Sequence, residues 1–190
     1  VAGNKAQIVV ANSSGITCNG CGFINATGVT LSTGEPRLSA DGNLEGYRVT
    51  RGQIRIEGQG MNASAVSTTD VIARAVQINA GLWANYLRMT LGTNEVNADN
   101  TQATPIDLNL NQANASKDNS APSQPPSFAL DVAAIGGMYA NKIFLIGTEA
   151  GVGVRNAGLI GPYAGLGGGE IVLHANGLLE NRGRIYGDHI

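Results

Sequence analysis

The sequence contains few charged residues, few aromatic residues and no long apolar run. Charged residues make up 14% of the 190-residue chain, compared with about 25% in an average domain. The net charge is −2 and basic residues form no block, which argues against nucleic acid and anionic membranes as partners. No apolar run approaches the ~18 residues that span a bilayer.

A signal peptide is also missing from the start of the sequence, which begins VAGNKAQIVV like the interior of a domain. We therefore expect a fragment whose N-terminal part lies outside the sequence. The length suffices for one domain with a substantial core, and residues 1–190 are interpreted as a single domain.

Glycine, asparagine and short apolar segments are what the sequence does contain. Residues 53–57 alternate polar and apolar side chains, as a strand with one buried face does. The 27 glycines and the many asparagines separate such segments, and both residue types favour tight turns because they accept positive φ. The sequence therefore predicts an all-β fold. The strand-like segments are residues 6–11, 28–34, 47–50, 52–58, 75–81, 87–92, 142–147 and 170–177.

Residues 68–76 (TTDVIARAV) depart from this pattern. Asp70 suits the N-cap of a helix, and apolar pairs follow at Val71–Ile72 and Ala75–Val76. The segment is short and a β-rich stretch follows at once, so we expect a turn or a short helix at most.

A repeat near the C-terminus indicates a solenoid. VRNAGLI at 154–160 and LENRGRI at 179–185 share the pattern apolar-x-Asn-x-Gly-x-Ile. Repeats of ~20–30 residues, made of short strands and Gly/Asn turns, are typical of solenoid coils. We expect the equivalent asparagines of adjacent coils to stack as a hydrogen-bonded ladder.

Residues 103–127 interrupt the β pattern. Their second half, from Asn111, is polar and rich in proline and serine, which indicates an excursion from the coil or a flexible loop. Strand-like residues resume at 128–130.

The two cysteines, Cys18 and Cys21, flank an Asn-Gly dipeptide. Zinc binding with His174 and His189 is one alternative, although a single Cys-x-x-Cys is a weak zinc motif. Redox chemistry is another, but reactive thiols favour a helix N-terminus and the flanking residues here are of β type. Asn-Gly is a turn dipeptide that brings the cysteines together, so we favour a disulfide. A persistent disulfide indicates the periplasm or the cell exterior.

Motifs for catalysis are weak throughout the sequence. No Ser/His/Asp arrangement or carboxylate cluster stands out, and the Gly-rich stretch at 165–169 precedes no helix pattern. We therefore expect no enzyme activity, no small-molecule cofactor and no metal.

Five segments, in order, carry a resemblance to a known family. They are ANSSGITCNGCGFINATGVTLSTG (11–34), GYRVTRGQIRIEGQGMNAS (46–64), VIARAVQINAGLWA (71–84), FALDVAAIGGMYANKIFLIGTEAGVGVRNAG (128–158) and GLLENRGRI (177–185). They resemble the two-partner secretion domain that heads filamentous haemagglutinins, haemolysins and contact-dependent inhibition exoproteins of Gram-negative bacteria. The resemblance implies a right-handed parallel β-helix with β excursions outside the coil.

The family's Asn-Pro-Asn-Gly-Ile secretion motif has a counterpart in this sequence. The matching positions are Asn12, Ser13, Ser14, Gly15 and Ile16. Serines replace the proline and the second asparagine, so neither the usual turn geometry of the motif nor its usual secretion efficiency is carried over to these positions. The resemblance also implies that Cys18 and Cys21 form a structural disulfide.

The resemblance implies recognition rather than catalysis. Periplasmic modules of an outer-membrane transporter would bind the domain, which would cross the membrane and nucleate β-helix folding at the cell surface. An exposed coil edge suits strand addition to such a partner, and also edge-to-edge self-association of the fragment. Two alternatives stay open. One is an adhesive β-helix that binds a receptor directly, and the less favoured one is a β-helical polysaccharide-active enzyme.

Overall fold

The computed structural model describes residues 5–108, 124–162 and 169–187. Every element with defined bounds in these ranges is a β-strand, which confirms the all-β prediction. In chain order the strands are β1 (Ala6–Ala11), β2 (Ile16–Gly22), β3 (Ala26–Ser32), β4 (Glu35–Leu38), β5 (Leu44–Val49), β6 (Gln53–Ala73), β7 (Ala75–Ile78), β8 (Gly81–Leu91), β9 (Asn94–Asn97), β10 (Ala103–Pro105), β11 (Phe128–Val132), β12 (Gly137–Tyr139), β13 (Lys142–Gly147), β14 (Gly153–Asn156), β15 (Leu159–Gly161), β16 (Glu170–Ala175), β17 (Leu179–Asn181) and β18 (Arg184–Ile185). The described ranges contain no helix long and apolar enough to cross a membrane.

Fourteen strands form a parallel stack with three faces, which we name A, B and C. Face A contains β1, β3, the ends of β6 and β8, then β13 and β16. Face B contains the starts of β2 and β6, then β7, β11, β14 and β17. Face C contains the end of β2, the middle of β6, the start of β8, then β12, β15 and β18. Each coil visits A, B and C in turn, so the predicted parallel β-helix is confirmed.

Apolar side chains from alternate positions fill the interior of the stack. In face A, Leu31, Val71, Met89 and Leu145 lie in one register column, each from a different coil. A coil therefore buries its apolar residues against the coils above and below it. Fully buried core residues include Val29, Ile54, Ile56, Ile78, Leu82, Leu87, Leu130, Met138 and Ile160.

The repeat seen in the sequence corresponds to adjacent coils. Val154 pairs with Leu179 and Asn156 with Asn181 in parallel register. The Asn156 Nδ2 donates to the Asn181 Oδ1 at 2.9 Å, so the expected side-chain bond joins these two coils, whereas Val132 takes the equivalent position in the coil before.

A separate antiparallel sheet, in the order β10-β9-β5-β4, lies outside the coil. It covers the outer side of face A through a small second core of Tyr47, Val49, Ile72 and Val96. The predicted β excursions are thereby confirmed. Its two margins, β4 and β10, carry Pro36 and Pro105 respectively.

The expectation of a turn or short helix at residues 68–76 is wrong. Strand β6 continues to Ala73, and only Arg74 separates it from β7. Val71 is buried inside the stack, whereas Ile72 is buried on the outer side beneath the antiparallel sheet. Because both sides of the strand are covered, its apolar residues are consecutive rather than alternating and imitate a helical pattern.

The interruption at residues 103–127 begins as part of the antiparallel sheet, because β10 pairs with β9. Strand pairing resumes with β11, as the sequence predicts. Residues 109–123 lie outside the described residues, so the flexible loop stays a prediction. The assignment of residues 1–190 to a single domain likewise stays a prediction.

Candidate functional site

The segment matching the secretion motif forms the first turn between faces A and B, joining β1 to β2. The Gly15 N–H donates to the Asn12 carbonyl at 3.0 Å, and the Ser14 N–H donates to the Asn12 Oδ1 at 3.0 Å. The Asn12 N–H donates to the Ser32 carbonyl of the next coil at 2.9 Å. Asn12 therefore shapes the turn with its side chain and ties it to the stack with its backbone.

The second coil packs closely against this turn. Gly15 has a φ of +127°, and a Cβ there would lie 2.8 Å from the Gln53 carbonyl oxygen. Gly52 lies beneath the Ser13 carbonyl, where a Cβ would approach within 2.6 Å. Gly15 is thus required both for its backbone conformation and for close packing. Ile16 follows it, partly buried against the core.

The two cysteines lie at the first corner between faces B and C and are bonded to each other, with a Cα–Cα distance of 5.5 Å. This agrees with the predicted pairing. Cys18 is fully buried and Cys21 packs at the margin of the core. Between them, the Asn19 Oδ1 accepts the Gln59 N–H of the next coil at 3.0 Å. The pair therefore closes a corner rather than lining a cleft.

The alternative zinc site is not assembled by the described residues. Cys18 lies in the first coil on face B, whereas His174 lies on β16 of face A. His189 lies outside the described residues. Within residues 5–108, 124–162 and 169–187, no group of three or more His, Cys, Asp or Glu could hold a metal ion.

A buried polar network beneath the antiparallel sheet was not predicted from the sequence. Arg88 donates to both carboxylate oxygens of Asp70, at 2.7 and 2.9 Å. Asn100 donates to Asp70 at 3.0 Å and accepts from Thr90 at 2.6 Å. Asp70 and Arg88 are register partners on β6 and β8, a relation that becomes visible only once the coil length is known.

A second buried ion pair joins distant corners between faces A and B. Arg74 donates to Glu149 through Nε at 3.1 Å and through Nη2 at 2.7 Å, across 75 residues of sequence. Their side chains are only 6% and 14% exposed. The pair links the third coil to the fifth, and the base of the antiparallel sheet lies against it, since Thr93 and Ile106 are beside it.

Aromatic rings lie in line on the outer surface of face C. Trp83 and Tyr139 are register partners whose ring centroids are 5.8 Å apart at an interplanar angle of 15°. We name Trp83, Tyr139 and the exposed Tyr186 the aromatic strip. A sequence signal for its first two members existed, because GLWAN at 81–85 and GMYAN at 137–141 share the pattern Gly-x-aromatic-Ala-Asn.

Comparison with known proteins places this architecture in a family. A family model described as "TPS secretion domain" matches residues 1–173. The crystal structure of a filamentous hemagglutinin secretion domain superposes with a TM-score of 0.69 at 27% identity, covering 98% of this chain and 64% of that one.

Curated relatives are similar over nearly the whole chain. The "Toxin CdiA" of Yersinia pestis is 51% identical over 185 residues, which cover 97% of this chain and 5% of the relative. The "tRNA nuclease CdiA-2" of Burkholderia pseudomallei (strain 1026b) is 41% identical over 179 residues, covering 94% of this chain and 5% of the relative. This chain thus spans only 5% of the length of these relatives. With a family match over residues 1–173, the chain belongs to the TPS secretion domain family.

Proposed function

We propose that this chain is the secretion domain of a large bacterial exoprotein and is recognised by an outer-membrane two-partner secretion transporter. The observation that carries the proposal is the family match over residues 1–173. The domain passes from the periplasm to the cell surface or the medium, and there its coils template the β-helix that follows. It works by recognition and folding, and the toxin activity of the exoprotein resides elsewhere in its length.

The pairing of the carboxylates supports a role without catalysis. Asp70, Glu149 and Asp131 each accept two hydrogen bonds from an arginine. A carboxylate with both oxygens bonded to an arginine would have to break those bonds before it could act on a substrate. We therefore infer that these groups hold coils together and do not act on a substrate.

The turn at Asn12–Ile16 is the segment we assign to transporter recognition. In the folded stack the Asn12 N–H is bonded to the Ser32 carbonyl, and the turn packs against Gln53 and Gly52. Recognition therefore acts on the chain before this coil closes, when the β1 and β2 segments are free to add to a partner sheet. Copies of the chain associate through the same coil edge, since β1 pairs on only one side in the described residues.

A secretion assay on the full-length exoprotein tests this proposal. Wild-type protein is expected outside the cell only when the partner transporter is co-expressed. Asn12→Ala removes the side chain that orders the turn and should reduce export. Asn62→Ala is the matched control, because the Asn62 Oδ1 accepts the Ser64 N–H at 3.1 Å, the same asparagine-to-backbone contact two residues on, outside the motif.

Two results would contradict the assignment. Export without the transporter overturns the secretion role, whereas equal export of both asparagine variants overturns only the role of the turn. A gain-of-function arm restores the family pattern with Ser13→Pro and Ser14→Asn. It should raise export while leaving the fold unchanged, as circular dichroism of the purified protein will show.

A further inference from the structure

We propose that the outer surface of face C binds a neutral sugar ring, stacked on Trp83 and Tyr139. This activity is additional to the secretion role and does not depend on it. Trp83, Tyr139 and Gly161 are register partners in three consecutive coils, and the Tyr186 ring lies against Gly161. The aromatic strip therefore runs along the stack rather than around it.

The rings of the strip lie over glycines instead of standing beside other side chains. A Cβ added to Gly137 would be 2.6–2.9 Å from the hydroxyl and ring atoms of Tyr139. Gly81 has the same relation to the Trp83 ring. Glycine within a strand often marks a place where a ring or a ligand approaches the backbone closely. Here it lets each ring lie across its own strand.

Amide groups flank the strip at its Trp83 end. Asn62 is the register partner of Trp83 in the preceding coil, and its Oδ1 accepts from the Ser64 N–H and hydroxyl at 3.1 and 2.7 Å. The Asn85 Oδ1 accepts from the Asn141 Nδ2 at 2.8 Å. Both oxygens are thereby held in place. Among the described residues, neither the Asn62 nor the Asn85 side-chain NH₂ donates a hydrogen bond, and both residues are exposed.

This combination selects the chemistry of the ligand. The C–H groups on one face of a sugar ring carry partial positive charge, which the negative face of an aromatic ring attracts. Sugar hydroxyls accept hydrogen bonds from amide NH₂ groups. The column of Asn62, Trp83, Tyr139 and Gly161 carries no ionisable charge at neutral pH, whereas Arg182 and Arg184 lie beside Tyr139 at the far end of the strip. At the Trp83 end the column therefore offers no counter-ion to an acidic sugar. A neutral hexose within an oligosaccharide fits these contacts.

Trp83 is the single tryptophan of the chain, so its fluorescence reports directly on the proposed site. The probes are three neutral hexasaccharides, maltohexaose, cellohexaose and β-1,4-galactohexaose, with hexagalacturonate as the acidic comparison. We expect a saturable change in emission with at least one neutral probe. Tyr139→Ala should weaken that binding by about fivefold to tenfold through loss of one stacking ring. Asn85→Ala should weaken it severalfold.

Phe144→Ala is the matched control, since Phe144 is an exposed aromatic residue on face A, away from the strip. Its binding should equal that of the wild type. The absence of a saturable change with any neutral probe up to about 10 mM overturns the proposal. So does binding of hexagalacturonate alone, or wild-type affinity in Asn85→Ala, which alters an exposed side chain and leaves the core intact. Circular dichroism of each variant verifies that its stack is folded.

Discussion

The parallel stack and the antiparallel sheet of this protein are held together in different ways. In the stack, the same inward positions recur in six coils, and a single continuous apolar core runs along the axis. The antiparallel sheet has only a small core of Tyr47, Val49, Ile72 and Val96, together with the Asp70 network at its base.

The two regions differ in how many independent contacts support them. An inner coil of the stack is supported by neighbours on both sides, so its stability is shared along the axis. The antiparallel sheet depends mainly on its small core and the Asp70 network, so we expect it to open locally while the stack stays folded. The following variants separate the two regions, beginning with the largest expected effect.

Leu87→Ala should destabilise the whole stack. Leu87 is fully buried in face A, in register with Thr69 and Ile143. Truncation of a buried leucine costs about 2–5 kcal/mol, because it removes apolar contacts and leaves a cavity. The free energy of unfolding in urea measures the loss. Phe144→Ala, which shortens a partly exposed side chain on the neighbouring strand, is the control. A loss of stability confined to the antiparallel sheet would contradict the view that Leu87 supports the whole stack.

Asp70→Asn should release the antiparallel sheet and leave the stack intact. The change leaves Arg88 without its carboxylate partner beneath the sheet, which we expect to cost about 1.5–3 kcal/mol. Hydrogen exchange should accelerate at residues 35–49 and 94–105 and remain slow in β13. Asp131→Asn is the control, because Asp131 makes the same two bonds to Arg155, whose side chain is 42% exposed. Its effect should be below about 1 kcal/mol.

Replacement of both cysteines by alanine should affect only the first coil. Closure of so short a loop restricts the unfolded chain by roughly 2 kcal/mol at most. Thiol counting on unfolded, unreduced protein from an oxidising compartment should find no free thiol. Two free thiols would refute the pairing. Faster exchange throughout the stack in the double variant would show that the corner supports more than its own coil.

Alkaline pH should open the antiparallel sheet before the stack. Burial raises the pKa of Tyr47, and the nearby Thr30 offsets only part of the rise. Its contribution to stability is therefore complete below the unfolded-state pKa of about 10, and it is lost as pH rises through the folded-state pKa because the unfolded chain ionises first. Hydrogen exchange against pH, corrected for its intrinsic rate, measures the opening.

Tyr47→Phe should remove this pH dependence. At neutral pH its stability should match or slightly exceed that of the wild type, because the buried hydroxyl has no partner of hydrogen-bonding geometry among the described residues. If the variant opens at the same pH as the wild type, another group is responsible.

The sequence predicted the repeating coils of the stack better than the external sheet and the ion pairs that hold it. The repeat at 154–160 and 179–185 revealed the stack because register partners in adjacent coils recur at a constant interval. The strand at 68–73 was missed since an external sheet covers its outer side, a fact that no local pattern contains. Arg74 and Glu149 were not paired from the sequence, because the intervening excursion makes their separation unlike a coil repeat. The motif turn was located from the resemblance, whereas its packing on Gln53 required coordinates.

The prolines at the two margins of the antiparallel sheet make the molecule directional as a building unit. Pro36 and Pro105 have no N–H to offer to an incoming strand, so lateral growth of that sheet is disfavoured. The coil edge at β1 carries no proline. A strand that pairs with this molecule is therefore expected to add along the coil axis, which would lengthen it as a rod rather than widen it as a plane.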